Sequence, residues 1–230
     1  SNWTVVDGIM NYHFREVVLG YLKGEFRNPA QALKKAYDET PNIYGCWNML
    51  DSHDTERLAT VIPDKALRKL AAVLQFTYPG VPFVYYGTEI GLAGGRDPEC
   101  RAPMPWNEEL WDNELREFYK KLINVRKQEI ALKVGGFEVL NEEPIVFLRK
   151  APYVLDDVIV AVNKDSEEDV SVSVPDGRLL AGTTFTDLMS GEEFWIVGGV
   201  LKFNVPHRGF RILKALDKSK KGYTQYKRIY

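Results

Sequence analysis

The chain has few cysteines, few histidines and no excess of charge of either sign. Its 230 residues include two cysteines, Cys46 and Cys100, and three histidines. Two cysteines cannot build a disulfide framework, and without a CxxC spacing they do not form a common zinc pattern. Free thiols point to a reducing compartment, so the expected location is cytoplasmic. Ser1-Asn2-Trp3-Thr4 has neither a basic start nor a long apolar run, and no secretory signal is read there. Thirty Lys and Arg face 32 Asp and Glu, a formal charge of −2. That balance leaves no basic footprint for nucleic acid and no polybasic membrane anchor. Long hydrophobic runs are scarce too. Leu70 to Tyr86 carries no charge, but Pro79, Gly80 and Pro82 break it short of the ~20 apolar residues a spanning helix needs. No internal repeat or low-complexity tract appears.

What remains is an ordinary globular composition, 45% hydrophobic and 27% charged. It suits one good core or two modest ones. The chain is too short for a complete (β/α)₈ barrel of ~250 residues with a second domain attached.

Up to about residue 130, short apolar strands alternate with helical patterns. Val5 to Met10 opens as a strand. Residues 12–23 carry Phe14, Val17, Val18, Tyr21 and Leu22 at helical spacing. Asn28 is a candidate N-cap, with Pro29 at the first helical position. Ile43 to Leu50 reads as a strand running into the polar turn DSHDTER. Asp64 caps a helix with the stripe Leu67, Leu70, Val73 and Leu74. Val81 to Tyr86 reads as a strand buried on both faces, as in a parallel sheet. After a Gly- and Pro-rich loop, Leu115, Phe118, Leu122 and Val125 line one face of an amphipathic helix. Strand–helix alternation implies right-handed crossovers and a parallel sheet.

Residues 133–214 read as short strands alone. Segments 144–149, 157–162 and 169–174 are apolar or alternating. Phe194–Val197 and Leu201–Val205 flank Gly198-Gly199, a hairpin signal. The expected fold class is therefore α/β followed by all-β, the second part an antiparallel sandwich. The expected divisions are 1–132, 133–214 and a basic tail over 215–230.

Active residues of parallel α/β sheets collect beyond the carboxyl ends of the strands. Two segments occupy that position. Asn48 to Arg57 places Asp51, His53, Asp54, Glu56 and Arg57 directly after an apolar strand. A carboxylate there can orient hydroxyls, stabilise a cation or bind metal; alternatively, the segment is only a capped turn. The His53-Asp54 pair also matches HD-type phosphohydrolases, but those need further histidines, and only His13 and His207 remain. Gly80 to Leu92 continues into a loop holding Asp97 and Arg101. Four residues apart, these two can converge on one pair of ligand hydroxyls, or brace the loop as an ion pair. Trp47 and Trp106 are candidate sugar platforms as well as candidate structural fillers.

Together these segments resemble the α-amylase superfamily (glycoside hydrolase family 13). NMLDSHDTERL resembles the family's strand-seven motif. GVPFVYYGTEIGL and GGRDPECRAPMPW resemble strand eight and the loop after it, and DGIMNYHFRE resembles strand six. The wording points to the cyclomaltodextrinase, neopullulanase and maltogenic amylase branch. TDLMSGEEF and NVPHRGFRIL resemble the family's C-terminal β domain.

The resemblance implies a partial (β/α)₈ TIM barrel, about strands six to eight, then a β-sandwich. It implies a retaining enzyme acting on α-1,4-glucosidic bonds, with two catalytic carboxylates ~5–5.5 Å apart. The family's nucleophile, in a GFRxD-type motif after strand four, and its acid/base Glu after strand five have no match in these residues. The chain is therefore expected to be inactive alone. Asp54 matches the family's third essential carboxylate, a transition-state stabiliser that hydrogen-bonds the distorted sugar. Its charge would also raise the pKa of the acid/base Glu. His53 matches the histidine on the same sugar. Asp97 and Arg101 match the pair that binds the adjoining glucose, and Trp106 is the stacking candidate. Cys100 stands where the family usually has Asn, a departure at the centre of that loop.

No metal site or cofactor is expected in this chain, although Ca²⁺ is a family option in the missing N-terminal part. The expected partners are an α-glucan, maltooligosaccharide or cyclodextrin, and either an N-terminal barrel half or another copy of the chain. Nucleic acid and membrane are not expected partners. The alternative reading is a non-catalytic glucan-binding or assembly module of the same descent.

Overall fold

The structure, a computed structural model, describes residues 8–174 and 183–216. Residues 5–7 of the first expected strand and all but the first two residues of the expected tail lie outside that range. The chain divides into two compact units, Ser1–Gln128 and Glu129–Tyr230.

The first unit is built on a three-stranded parallel sheet in the order β1 (Met10–Asn11), β2 (Trp47–Met49), β3 (Val81–Phe83). Parallel pairing follows from the helices between the strands, because returning to the same end of a sheet requires a crossover. α1 (Tyr12–Leu22) and α2 (Pro29–Glu39) join β1 to β2. α3 (Leu58–Val61) and α4 (Lys65–Thr77) join β2 to β3, and α5 (Asn113–Gln128) follows the long loop.

Local rules account for most of these boundaries. Asp64 accepts the Leu67 N–H at 3.0 Å and so caps α4, as its position predicts. Pro29 does start α2, but the Asn28 side chain makes no capping bond. Asn11 is the working cap of α1, accepting the Phe14 N–H at 2.9 Å. All five residues of the α1 stripe are buried. On α5, Tyr119 rather than Phe118 is buried between Leu115 and Leu122. A helical stripe allows either position, and packing against Phe76 of α4, ring centroids 5.8 Å apart, selects Tyr119.

Ile43 to Leu50 is not a continuous strand. Asn42 has a left-handed backbone, and Ile43–Gly45 is a 3₁₀ turn, so pairing begins only at Trp47. The β3 ladder likewise stops at Phe83. Its Pro82 lacks an N–H and is tolerated because β3 lies at an edge of the sheet.

Buried amides tie the strands together. Asn11 and Asn48, opposite each other across β1 and β2, are joined by a side-chain bond of 3.1 Å. Asn48 also donates to the Pro79 carbonyl at 2.9 Å. Gly80 follows with φ 118°, and a Cβ there would meet the Asn48 amide and the Cys46 carbonyl at 2.9 Å. From α4, Gln75 donates to the Asn48 and Phe83 carbonyls at 3.0 and 2.8 Å, gripping the middle of β2 and the end of β3.

The second unit opens with α6 (Ile130–Val134) and continues as β4 (Gly136–Asn141), β5 (Ile145–Lys150), β6 (Val158–Asn163), β7 (Glu168–Ser173), β8 (Thr184–Asp187), β9 (Glu193–Val197), β10 (Val200–Val205) and β11 (Gly209–Leu216). These strands form one antiparallel sheet in the order β4-β5-β6-β11-β8-β9-β10-β7. One core cluster draws Val146, Ile159 and Leu213 from one half of the order and Val172, Leu201 and Phe203 from the other. The sheet therefore bends over its own apolar face, as a sandwich does. Gly198 and Gly199 both have positive φ, the requirement of a two-residue type I′ hairpin turn between β9 and β10. Arg149, fully buried, donates to the carbonyls of Leu132 and Gly135, satisfying the orphan carboxyl end of α6.

Candidate active site

The residues singled out after β2 and β3 converge on one loop cluster. Past β2, Leu50 leads into Asp51, whose carboxylate is buried at 1% exposure. One Asp51 oxygen accepts the Leu58 N–H at 2.8 Å, and the other accepts the Thr88 hydroxyl at 2.6 Å. It thereby fixes the start of α3 and the turn after β3 to the end of β2. Burial pushes the Asp51 carboxyl above its usual range; these two bonds and the Arg57 and Arg15 charges oppose the rise without cancelling it.

Ser52 and Thr55 tighten the following turn. The Ser52 N–H donates to the Thr55 hydroxyl at 2.9 Å, and the Asp54 N–H to the Ser52 hydroxyl at 3.2 Å. Held between these bonds, His53 and Asp54 project outward, each side chain about half exposed. His53 Nε2 lies 3.1 Å from one Asp54 oxygen.

The loop after β3 closes on this turn. Arg101 Nη2 reaches the other Asp54 oxygen at 3.3 Å, and its Nε lies 3.1 Å from Asp97 Oδ1. The same Nε donates to the His53 carbonyl, also at 3.1 Å. The fully buried Cys100 thiol donates to that carbonyl at 3.1 Å. Thus the residue that departs from the usual Asn still holds the neighbouring loop. His53, Asp54, Asp97 and Arg101 form one hydrogen-bonded group, with Arg101 between the two carboxylates. Trp106, in the same loop, is 80% exposed and joins none of these bonds. Trp47 is 47% exposed and stacks on Phe83, centroids 5.8 Å apart.

Arg57 is the residue whose weight the motif does not reveal. Its side chain is fully buried, and its guanidinium lies 4.1 and 4.4 Å from the Tyr85 and Tyr86 ring centroids. Nη1 donates to the Tyr86 carbonyl at 2.5 Å. The Tyr86 hydroxyl in turn donates to the Ala102 carbonyl at 2.7 Å, beside Arg101. Arg57 therefore braces the loop that carries the Arg101 group. Two consecutive tyrosines after a strand were the available signal, but only the fold shows which cation they enclose. Among the described residues no group of three His, Cys, Asp or Glu is placed to hold a metal ion, and no helix is long and apolar enough to cross a membrane.

The group lies just past the carboxyl ends of parallel strands, where α/β proteins place their ligands. Two carboxylates, an imidazole and a guanidinium, all partly open to water, suit a ligand rich in hydroxyls. The chain belongs to the α-amylase family: residues 1–135 match the model of the α-amylase catalytic domain, and residues 137–212 match that of the maltogenic amylase C-terminal domain. It is 36% identical over 223 residues to neopullulanase 2 of Thermoactinomyces vulgaris, covering 91% of this chain and 37% of that protein. It is also 36% identical over 172 residues to a cyclomaltodextrinase of Thermoanaerobacter pseudethanolicus, covering 71% and 30%. A solved cyclomaltodextrinase structure superposes with a TM-score of 0.80 at 31% identity, over 91% of this chain and 37% of the other. The chain thus spans about a third of the length of these curated relatives.

Proposed function

We propose that these residues are the C-terminal part of a retaining α-glucan hydrolase of the cyclomaltodextrinase and neopullulanase kind. In this reading β1, β2 and β3 are strands six to eight of a (β/α)₈ barrel, and the second unit is the β domain that follows it. Asp54 hydrogen-bonds the hydroxyls of the sugar distorted at the scissile bond, and His53 contacts the same sugar. Bonds that strengthen as the ring flattens lower the barrier. Asp97 and Arg101 hold the adjoining glucose, and Trp106 offers a stacking face. The nucleophilic Asp and the acid/base Glu come from sequence outside these residues, so the chain alone does not turn over substrate.

The observation that supports this reading is the Arg101 bridge from Asp54 to Asp97, because it brings two motifs far apart in sequence into one polar group of the kind that suits sugar hydroxyls. Exposed rings support the need for a covering partner. Trp47 and Tyr86 are 47% and 39% exposed. An N-terminal barrel half, or a second copy, would cover them and pair the edges of β1 and β3.

The test combines the chain with an N-terminal half carrying a GFRxD-type motif and measures cleavage of cyclodextrin, pullulan and maltoheptaose. Activity is expected only in the combination. Asp54→Asn should lower kcat by about 100-fold or more, the scale of losing one transition-state hydrogen-bonding group, with assembly retained. Turnover by the 230-residue chain alone, or full activity in D54N, would sink the proposal.

A further inference from the structure

We infer that the outer face of β9, β10 and β7 binds an α-glucan chain, with Trp195 as its stacking platform. The choice of an α-glucan over other saccharides rests on the hydrolase reading above; the platform itself rests on this face alone.

Strand alternation places Glu193, Trp195 and Val197 on one side of β9 and Phe194 and Ile196 on the other. Ile196 is buried in the core with its partner Leu201, so Trp195 and Lys202, next along the two strands, both face outward. Trp195 is 59% exposed, and its indole N–H bonds to no described residue. Beside it lies a shallow cavity of about 240 Å³, lined by Glu193, Phe194, Trp195, Val197 and Lys202. The Lys202 ammonium makes no ion pair among the described residues. On the next strand Ser171 stands opposite Lys202, and Ser173 opposite Val200; both serines are exposed.

A large ring held in solvent on a sheet face has lost the usual reason to be a tryptophan, since it contributes little to the core. Its surroundings indicate the occupant. A pyranose presents an apolar face of C–H bonds and a rim of hydroxyls. The indole matches the face, while the Lys202 ammonium and the serine hydroxyls on the adjoining strands match the rim. The apolar part of this outward face is one indole and two valines, Val197 and Val200. That is far below the ~800 Å² per partner of a stable protein interface. A protein partner would need more apolar surface; a chain of sugar rings does not.

The experiment titrates the 230-residue chain with maltoheptaose by calorimetry and runs it through native gels containing glycogen. Binding and retardation are expected. Trp195→Ala should weaken both at least tenfold with an unchanged far-UV spectrum, and Trp195→Phe, which keeps a smaller ring, should fall between. Parental affinity in W195A, or no binding by the parent at millimolar maltoheptaose, overturns the inference. A combined two-part enzyme without turnover, whose chain still binds maltoheptaose through Trp195, would overturn the hydrolase reading and leave the platform standing.

Discussion

Removing the Asp51 carboxylate should loosen the turn that carries His53 and Asp54, and the cost follows from its two bonds. In Asp51→Ala the Leu58 N–H and the Thr88 hydroxyl both lose their acceptor in a buried setting. Each orphaned donor costs about 1–3 kcal/mol. Against this, the substitution removes a carboxylate whose burial already disfavours its charge. A net loss of about 2–4 kcal/mol is expected, a large share of the ~5–15 kcal/mol that stabilises a domain. Asp51→Asn keeps one acceptor and offers an N–H to the Thr88 oxygen, so it should cost about 1 kcal/mol or less.

The pH dependence gives a second readout with a definite sign. The folded Asp51 carboxyl titrates above its unfolded value of about 3.9. Its contribution is therefore fully present below that value and is lost as pH rises through the folded pKa. The stability of Asp51→Asn relative to the parent should accordingly improve as pH rises across that window. Urea unfolding of both chains from pH 3.5 to 7, with hydrogen exchange at the Leu58 amide as a local probe, measures both effects. An alanine variant within 0.5 kcal/mol of the parent would refute the reasoning. So would an asparagine variant as damaged as the alanine one.

Three further outcomes are expected. Asp112 accepts the Leu115 N–H at 3.1 Å and lies 3.0 Å from Lys65 Nζ. Burial would raise its carboxyl, but these partners hold it below the usual range. Its contribution should be present above pH ~3.9 and fade as pH falls through the folded value. Asp112→Ala should cost about 1 kcal/mol at neutral pH, the scale of a helix cap, read by urea unfolding. Leu148→Ala, in the fully buried core of the second unit, should cost about 2–5 kcal/mol, read as a lower midpoint for that unit. Cys100→Asn should keep a donor for the His53 carbonyl, so the chain should retain the parental near-UV spectrum; Cys100→Ala, which cannot donate, should raise proteolytic cleavage in the 94–102 loop.

The helices and the hairpin were legible because their signals are local. The α1 stripe repeats at 3.6 residues, the Asp64 cap acts on a neighbour three residues away, and Gly198-Gly199 permits the positive φ that a tight turn demands. The working N-cap at Asn11 and the failed one at Asn28 have the same side chain. They differ because Asn11 also meets Asn48 across the sheet, which fixes its orientation. The strands of the first unit came out shorter than their apolar runs. Burial in that unit comes from the packed helices as well as the ladder, so hydrophobicity overestimates strand length there. β4, β8 and β11 carried weaker alternation and were not legible as separate strands.

The sequence by itself determined the family, because the strings around His53-Asp54 and Asp97–Arg101 are long and specific. It also determined the order of the helices and of the more strongly patterned strands, since periodicity is a property of neighbours along the chain. Only the tertiary structure decided which distant groups meet. Arg101 bridges Asp54 and Asp97 across 47 and four residues of separation, and Cys100 donates to a carbonyl 47 residues away. Arg57 finds its aromatic enclosure 28 and 29 residues downstream. Trp195 turned outward for a similar reason: strand alternation alone leaves both faces open, and the core claimed Ile196. Contacts of this kind are set by the register of strands and the closure of loops, which no local pattern encodes.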